Sequence, residues 1–394
     1  MYVSRVTKIK SNPILSCISK ECGSAYKQTV ETFWKEVEDT GTWIKKKDMQ
    51  KIIKSENVHA HTLDAVTDDF YSALAGWREL RKNHPETRPP TKTREFRSIV
   101  YKSSAIRLRD GHLILSNGKK SPSVSIPWKH GLPKMVRIKW NGNGHDIHCI
   151  YSVEPIEKSG EEIVAIDLGE VHPIALSNGI LVNGGELRSK KRYREKKKGE
   201  FSKKLKRTKS GSRRDKSLKK AKKRVLTKIE NQIKDILHKT TTWTVNILRS
   251  RRCGTLVVGD VTNIRQNNDV GRKNNQKIHQ WDFSRISWYL KYKSERAGIS
   301  YEDETEEYTS RTCPRCGHVR SKPRGRVFRC PKCKFRGHRD IVGSMNILAK
   351  RMKKYPGEFV FQVVADMAPA TGVRWKPDIS VASWAYAWEE AVGL

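Results

Sequence analysis

The sequence predicts a mixed α/β protein: a C-terminal α/β domain with a small metal-bound element embedded in it, preceded by a small β-barrel that a helical insert interrupts. Three observations carry that reading. From Glu161 onward the order is three short strands, helices, strand, helix, strand and a final helix near DIVGSMNILAKRM. Before Glu161, short β-type runs separated by Gly, Asn and Ser turns surround a long stretch with apolar residues at helical spacing. Two Cys-x-x-Cys pairs lie between the last strand and the last helix.

At 394 residues the chain has room for two or three domains and needs no disulfides to bury a core. Its 80 Lys and Arg against 42 Asp and Glu leave a formal charge of +38, and 36% of residues are hydrophobic. Such an imbalance points to a polyanionic partner. No apolar stretch approaches the roughly 18 residues needed to cross a bilayer, and MYVSRVTKIK has no apolar core for a secretory signal. A soluble intracellular protein with no membrane partner is expected. In that setting the eight cysteines read as thiols or metal ligands.

YVSRVTKI alternates as one half-buried strand and stops at Pro13. Residues from about Leu15 to Lys54 (Val30, Phe33, Trp34, Val37) and from about Ala60 to Lys82 (Leu63, Val66, Phe70, Leu74, Trp77, Leu80) carry helical spacing. Pro85, Pro89 and Pro90 break the helix, and the runs FRSIVY, AIRL, HLIL, VSIPW, MVRIKW and HCIYSV supply the barrel. Then EEIVAIDLG begins a buried core strand. Arg188 to Lys228 holds 22 Lys or Arg against Glu195, Glu200 and Asp215, a net +19. A block so unbalanced reads as a nucleic-acid-facing hairpin or helix pair, with a solvated helix face as the rival. The last forty residues turn acidic (Glu358, Asp366, Asp378, Glu389, Glu390) around Trp375, Trp384 and Trp388, and form a separate tail.

TCPRCGHVRSKPRGRVFRCPKCKFRGHRD spaces Cys313 and Cys316, then Cys330 and Cys333, as two knuckles. Two residues between thiolates turn both sulfurs toward one ion, and two such turns complete a closed Cys₄ site for structural Zn²⁺. Two disulfides or a redox pair are the rivals. Cys17, Cys22, Cys149 and Cys253 show no ligand spacing, and His318 and His338 are left unassigned.

Two-metal, Mg²⁺-dependent phosphodiester hydrolysis needs carboxylates converging from separate elements, each coordinating metal while leaving room for the scissile phosphate. Asp167 ends the apolar strand, and Asp340 stands at the mouth of the last helix, a place where Asp is also common as a capping residue. AIDLG, YTSRTCPRCG and CPKCKFRGHRD followed by GSMNIL resemble the RuvC-type nuclease domain with embedded zinc ribbon of TnpB transposon-associated proteins, which are related to Fanzor and the type V CRISPR effectors. The motifs cover 161 to about 350; residues 1–160 match in layout alone. The resemblance implies an RNase H-like fold and Mg²⁺-dependent, RNA-guided cutting of double-stranded DNA beside a short motif, with a guide RNA from the transposon end. It implies five parts: a β-barrel wedge domain (1–10 and 92–160), a helical recognition domain (11–91), a RuvC domain (161–308 and 337–354), a zinc ribbon (309–336) and a tail (355–394).

The sequence departs from the family at the middle catalytic carboxylate. Where a Glu usually follows the apolar strand, LVVGDV has Gly259, which cannot bind a metal. Asp260 is adjacent, but neighbouring strand residues face opposite ways. In YEDETEEYTS, Glu302, Glu304 and Glu306 share one strand face, and Fanzor-like proteins carry their glutamate just before the zinc ribbon, where Glu306 stands. The expected set for Mg²⁺ is therefore Asp167, Glu306 and Asp340, with Glu304 or Asp260 as fallbacks. The alternative is a nuclease-inactive, RNA-guided DNA-binding protein that acts as a repressor; a transposase acting on its own element's ends is a weaker third reading. The sequence leaves the oligomeric state open.

Overall fold

A computed structural model describes residues 2–142, 144–154, 156–261, 281–319, 325–353 and 379–381. They form two compact units divided between Glu154 and Pro155, six residues before the expected boundary. No helix among the described residues is long and apolar enough to cross a membrane.

In the first unit, β1 (Tyr2–Lys10) pairs antiparallel with β7 (Gly144–Ser152) along its whole length, so the opening strand joins a sheet built far away in sequence. That sheet runs β1-β7-β6-β2, with β6 at Met135–Trp140 and β2 at Ile99–Lys102. A second sheet holds β3 (Ile106–Arg109), β4 (His112–Leu115) and β5 (Val124–Pro127). No ladder among the described residues joins the two, so the strands expected to close a barrel form two antiparallel sheets. Between β1 and β2 stand α1 (Pro13–Thr40), α2 (Lys46–Ile52) and α3 (Ala60–Asn83). Asn12 caps α1 and Pro13 occupies its first turn; Gly41, at φ 67°, ends it, which splits the helical stretch expected to reach Lys54. Phe33 and Phe70 of the helices and Tyr101, Leu113 and Ile138 of the sheets lie in one buried cluster. The helical insert and the sheets therefore share a core.

In the second unit a six-stranded sheet runs β12-β11-β8-β9-β10-β15. Its strands are β8 (Glu162–Asp167), β9 (Ile174–Leu176), β10 (Ile180–Val182), β11 (Cys253–Asp260), β12 (Ser300–Thr305) and β15 (Ile379–Val381). β11 lies parallel to β8 and β12, while β9, β10 and β15 pair antiparallel. The rest of the acidic, Trp-bearing tail lies outside the described residues.

Between β10 and β11 stand α4 (Gly185–Lys206) and α5 (Arg213–Ser250), joined through Gly211 and the capping Ser212, with Lys222 donating back to Ser202 at 3.2 Å. Leu187 is the buried residue of α4, and apart from Asp215 the buried face of α5 begins at Ile229. The basic block thus occupies the outer part of a helical hairpin. α6 (Phe283–Arg296) and α5 cover one face of the sheet, packing on Val164, Ile166, Leu256 and Val258. α7 (Arg339–Met352) covers the other, with Ile347 and Leu348 on Ala165 and Val257. Strand alternation then places Asp167 and Gly259 on the α7 face and Asp260 on the α6 face.

Candidate active site and zinc centre

Asp167 and Asp340 meet where β8 ends and α7 begins. Gly343, one turn into α7, makes this possible: a Cβ there would lie 2.6 Å from Asp167 Oδ2, so a side chain at 343 would displace the carboxylate. Burial, then the charges of Glu306 and Asp340, push the Asp167 carboxyl well above the usual carboxylate range.

Glu306 does not sit on the strand, as the alternating acids suggested; β12 ends at Thr305. Its side chain folds back over Gly259. A Cβ on Gly259 would lie 2.7 Å from Glu306 Cγ and 2.9 Å from Cδ, with Oε1 nearer still. The glutamate therefore fills the space that a side chain on β11 would enter. Burial and then the charge of Asp260 push its carboxyl up to about 7, and Oε1 is buried without a hydrogen-bond partner. Asp167 thus feels the charges of both Glu306 and Asp340, although the three carboxylates do not bring their oxygens within 4.8 Å of one another as a set.

Asp340 is buried and differently placed. His172, from the loop after β8, bonds through Nδ1 to Asp340 Oδ2 at 2.7 Å, and Arg326 Nη1 donates to both oxygens at 3.1 and 3.3 Å. Burial works to raise its pKa, but the His172 hydrogen bond and the charges of Arg326, His338 and His172 outweigh it and hold the carboxyl below its ordinary value. His338 caps α7, its ring nitrogen accepting from Asp340 N at 3.3 Å, and its ring meets that of His172 edge to face at 4.9 Å. His172, His338 and Asp340 offer ligand atoms within 4.8 Å of one another, and Arg326 shares that carboxylate.

The fallbacks lie elsewhere. Glu304 is directly opposite Gly259 in the ladder, but its Oε1 accepts from Thr305 N at 2.9 Å at the strand end. Asp260 is exposed on the α6 face. Glu302 pairs with Arg351. The turn that carries Glu306 is held from α7: Lys350 Nζ donates to Glu307 O at 2.6 Å and to Thr305 Oγ1 at 3.1 Å, and Asn346 Nδ2 donates to Thr309 O and Thr312 O at 2.6 and 2.7 Å. The GSMNIL motif thus has a local reason: Gly343 admits Asp167, and Asn346 anchors the turn.

The four cysteines expected to hold zinc come together. Cys313 Sγ lies 3.5 Å from Cys333 Sγ, and Cys316 Sγ lies 3.6 Å from Cys330 Sγ. These separations exceed the roughly 2.05 Å of a disulfide and approach the roughly 3.8 Å edge of a tetrahedron with Zn–S bonds of about 2.3 Å. Each knuckle aims backbone N–H groups at its first sulfur, those of Arg315 and Cys316 at Cys313 and those of Lys332 and Cys333 at Cys330. Burial raises the Cys330 thiol, but those amides and its sulfur neighbours bring it down to about 7, while burial holds the Cys313 and Cys333 thiols above the usual range until a metal draws off their protons. β13 (Val327–Arg329) and β14 (Arg336–His338) form the ribbon's hairpin, and β14 runs directly into α7. A zinc ion held by all four thiolates would have no open position, the pattern of a structural rather than a catalytic centre.

Comparison with known proteins places these residues in two matched segments. Residues 147–265 match the family model described as probable transposase (OrfB_IS605), and residues 283–347 match that of the Cas12f1-like TNB domain. A TnpB-like protein of Methanocaldococcus jannaschii is 28% identical over 123 residues, covering 31% of this chain and 44% of the relative. The CRISPR-associated endodeoxyribonuclease Cas12f1 of Sulfoacidibacillus thermotolerans is 28% identical over 125 residues, 31% of this chain and 28% of its own. The chain thus spans less than half the length of these relatives. The cryo-EM structure of a Cas12f1-sgRNA-target DNA complex matches with a TM-score of 0.64 at 14% identity, over 85% of this chain and 82% of that one. The C-terminal domain and its ribbon are TnpB-like and Cas12f1-like in sequence, and the fold is of the Cas12f1 type.

Proposed function

We propose that this chain is an RNA-guided DNA endonuclease of a transposable element. It takes a guide RNA from the element's end and cuts double-stranded target DNA beside a short motif, in the cytosol or nucleoid of a prokaryotic cell. The observation that carries cutting, rather than guided binding by an inactive nuclease, is Glu306 lying in the space above Gly259. A side chain from another element thus lies where one on residue 259 would enter, which supports a site completed by Glu306.

Asp167, Glu306 and Asp340 are the residues that would hold Mg²⁺: they are oxygen donors from three elements, two of them with raised pKa and one with an orphaned buried oxygen, and they would draw together around the metal while Arg326 shares Asp340. When bound, a pair of Mg²⁺ ions would supply an activated water at one and stabilise charge on the leaving oxygen at the other. The chain's own part is positional. β8 and α7 fix the two aspartates, α7 holds the Glu306 turn, and His172 and Arg326 orient Asp340. The hairpin of α4 and α5 offers basic surface for phosphate backbones.

Protein co-purified with RNA from its native flanking sequence, incubated with Mg²⁺ and a plasmid library of randomised targets, should linearise a subset that shares a motif. Tight, guided binding without cutting would instead establish the inactive reading. Two further outcomes are expected. RNA affinity should fall by about 10³-fold or more between roughly 50 and 200 mM salt, read by filter binding. Lys350→Met should slow cutting roughly 10- to 100-fold, the cost typical of losing a group that orients a metal ligand. It should raise the Mg²⁺ needed for half-maximal rate while leaving the melting temperature nearly unchanged, because Lys350 is exposed.

A further inference from the structure

We propose that the cleft between α6 and the ends of β11 and β12 binds an unpaired nucleobase of the DNA strand being cut, with Trp288 as its stacking platform; this rests on the nuclease reading above. The cleft has a volume of about 340 Å³ and is lined by Trp288, Ser287 and Lys291 of α6, Asp260 of β11, and Tyr301 and Asp303 of β12. That size is at the small end of ligand sites, which run from roughly 300 to 1,000 Å³.

Trp288 is 61% exposed, although its helical neighbours Phe283, Ile286, Tyr289 and Leu290 are buried. Its ring is nevertheless braced, with centroids 5.4 Å from Tyr289 and 5.0 Å from Tyr292. A braced aromatic surface open on one side is what a flat heteroaromatic ring needs for stacking. The cleft also includes Gly259 and Asp260 at the carboxyl end of β11, the sheet edge that carries Asp167 at the end of parallel β8. Gly259 belongs to both places: it lines the cleft and lies beneath Glu306. A strand whose phosphate reaches the carboxylates can thus turn a neighbouring base into the cleft on the other face of β11.

The charge of the cleft selects a base over a phosphate. In a chain of +38, its floor carries two carboxylates, Asp260 and Asp303, which repel phosphate and accept hydrogen bonds from the N–H groups of a base edge. Tyr301 donates to Asp303 at 2.9 Å, fixing that carboxylate, and Lys291 Nζ stands 5.6 Å from the Tyr301 ring. A base paired and stacked within a duplex cannot present itself to a pocket, so the occupant is unpaired.

The test uses the full chain with its RNA and two readouts. A single-stranded DNA carrying 5-iodouracil, irradiated in Ca²⁺ to withhold cutting, should crosslink to Trp288 on the α6 peptide, and Trp288→Ala should remove that crosslink. In Mg²⁺, targets with one abasic nucleotide are scanned across the cut. Wild type should lose roughly 5- to 150-fold in rate at a low target concentration when one position is abasic, the range one base–aromatic stack contributes. Trp288→Ala should show that loss on intact DNA and no further loss at the abasic position, and Trp288→Phe should recover most of it. Equal abasic penalties in wild type and Trp288→Ala, or crosslinks confined to other helices, overturn the site. So does a dimer in sedimentation that Trp288→Ala dissolves, since a second copy would then cover the ring. If no variant cuts DNA, the nuclease reading fails, while the crosslink still decides the base site.

Discussion

Glu306→Gln should abolish Mg²⁺-dependent cutting while guide and target binding stay near wild type. The change keeps shape and removes one charged oxygen donor from the proposed three-carboxylate site. Losing an outer partner of a metal ligand already costs roughly 10- to 100-fold, so losing a ligand itself should cost more. The informative companion is a transplant. Gly259→Glu alone should be destabilising, because its new Cβ enters the space of the Glu306 side chain. In the double variant Gly259→Glu with Glu306→Ala that collision is gone and a carboxylate again projects from β11. Cutting should return in the double variant and be absent in Glu306→Ala. Activity in Glu306→Ala alone would move the site to Glu304 or Asp260.

The same substitution has a stability signature independent of catalysis. Burial raises the Glu306 carboxyl from an ordinary 4.5 to about 7 in the folded protein. A carboxylate with a raised folded pKa costs nothing below its unfolded pKa, costs progressively more as pH climbs through the gap, and reaches its full penalty above the folded pKa. That penalty is about 3 kcal/mol at most. Without metal, Glu306→Gln should therefore melt higher than wild type at pH 8, with the gain vanishing near pH 4. Added Mg²⁺ should reverse the order at pH 8, because the ion binds the folded wild type.

Much of this was legible in the sequence because local rules decided it. The Cys-x-x-Cys spacing fixes two knuckles before any tertiary structure exists, and the apolar run IVAI ending in Asp167 marks a core strand with a carboxylate at its carboxyl end. Strand alternation, however, put Glu306 on a strand with Glu302 and Glu304, whereas β12 stops one residue earlier. What brings Glu306 home is the absence of a side chain at Gly259. That is a tertiary fit between residues 47 positions apart, and pattern reading has no access to it. Arg326 and His172 were missed for the same reason: nothing in GRVFRC or EVHPIAL announces Asp340 as a partner. Likewise, the two sheets of the first unit share period-two strands with a barrel, and closure depends on ladders that one sequence does not display.

Cys330→Ser should release the zinc and, through the ribbon, silence a site whose carboxylates it does not touch. Structural zinc sites of this kind contribute about 10–16 kcal/mol of apparent binding energy to their folding. A ribbon with two short strands has little else to hold it. Phe328 is fully buried in one cluster with Cys313, Cys330 and Val342 of α7. Arg339 N donates to Arg326 O at 2.8 Å, so the first residue of α7 hangs on the ribbon backbone. Loss of the metal should free Arg326 and His338 together, leaving Asp340 without its guanidinium and α7 without its cap. Zinc per chain should fall from one to near zero, and cutting should be lost with it. The first unit, which has its own core, should keep its far-ultraviolet dichroism and thermal transition. Cys330→His, which restores a nitrogen ligand, should recover part of both zinc and activity. Full zinc retention with normal cutting in Cys330→Ser would refute the structural role of the centre. Arg326→Ala separates the two effects: it should leave zinc in place, raise the Asp340 carboxyl toward its ordinary value, and slow cutting without unfolding the ribbon.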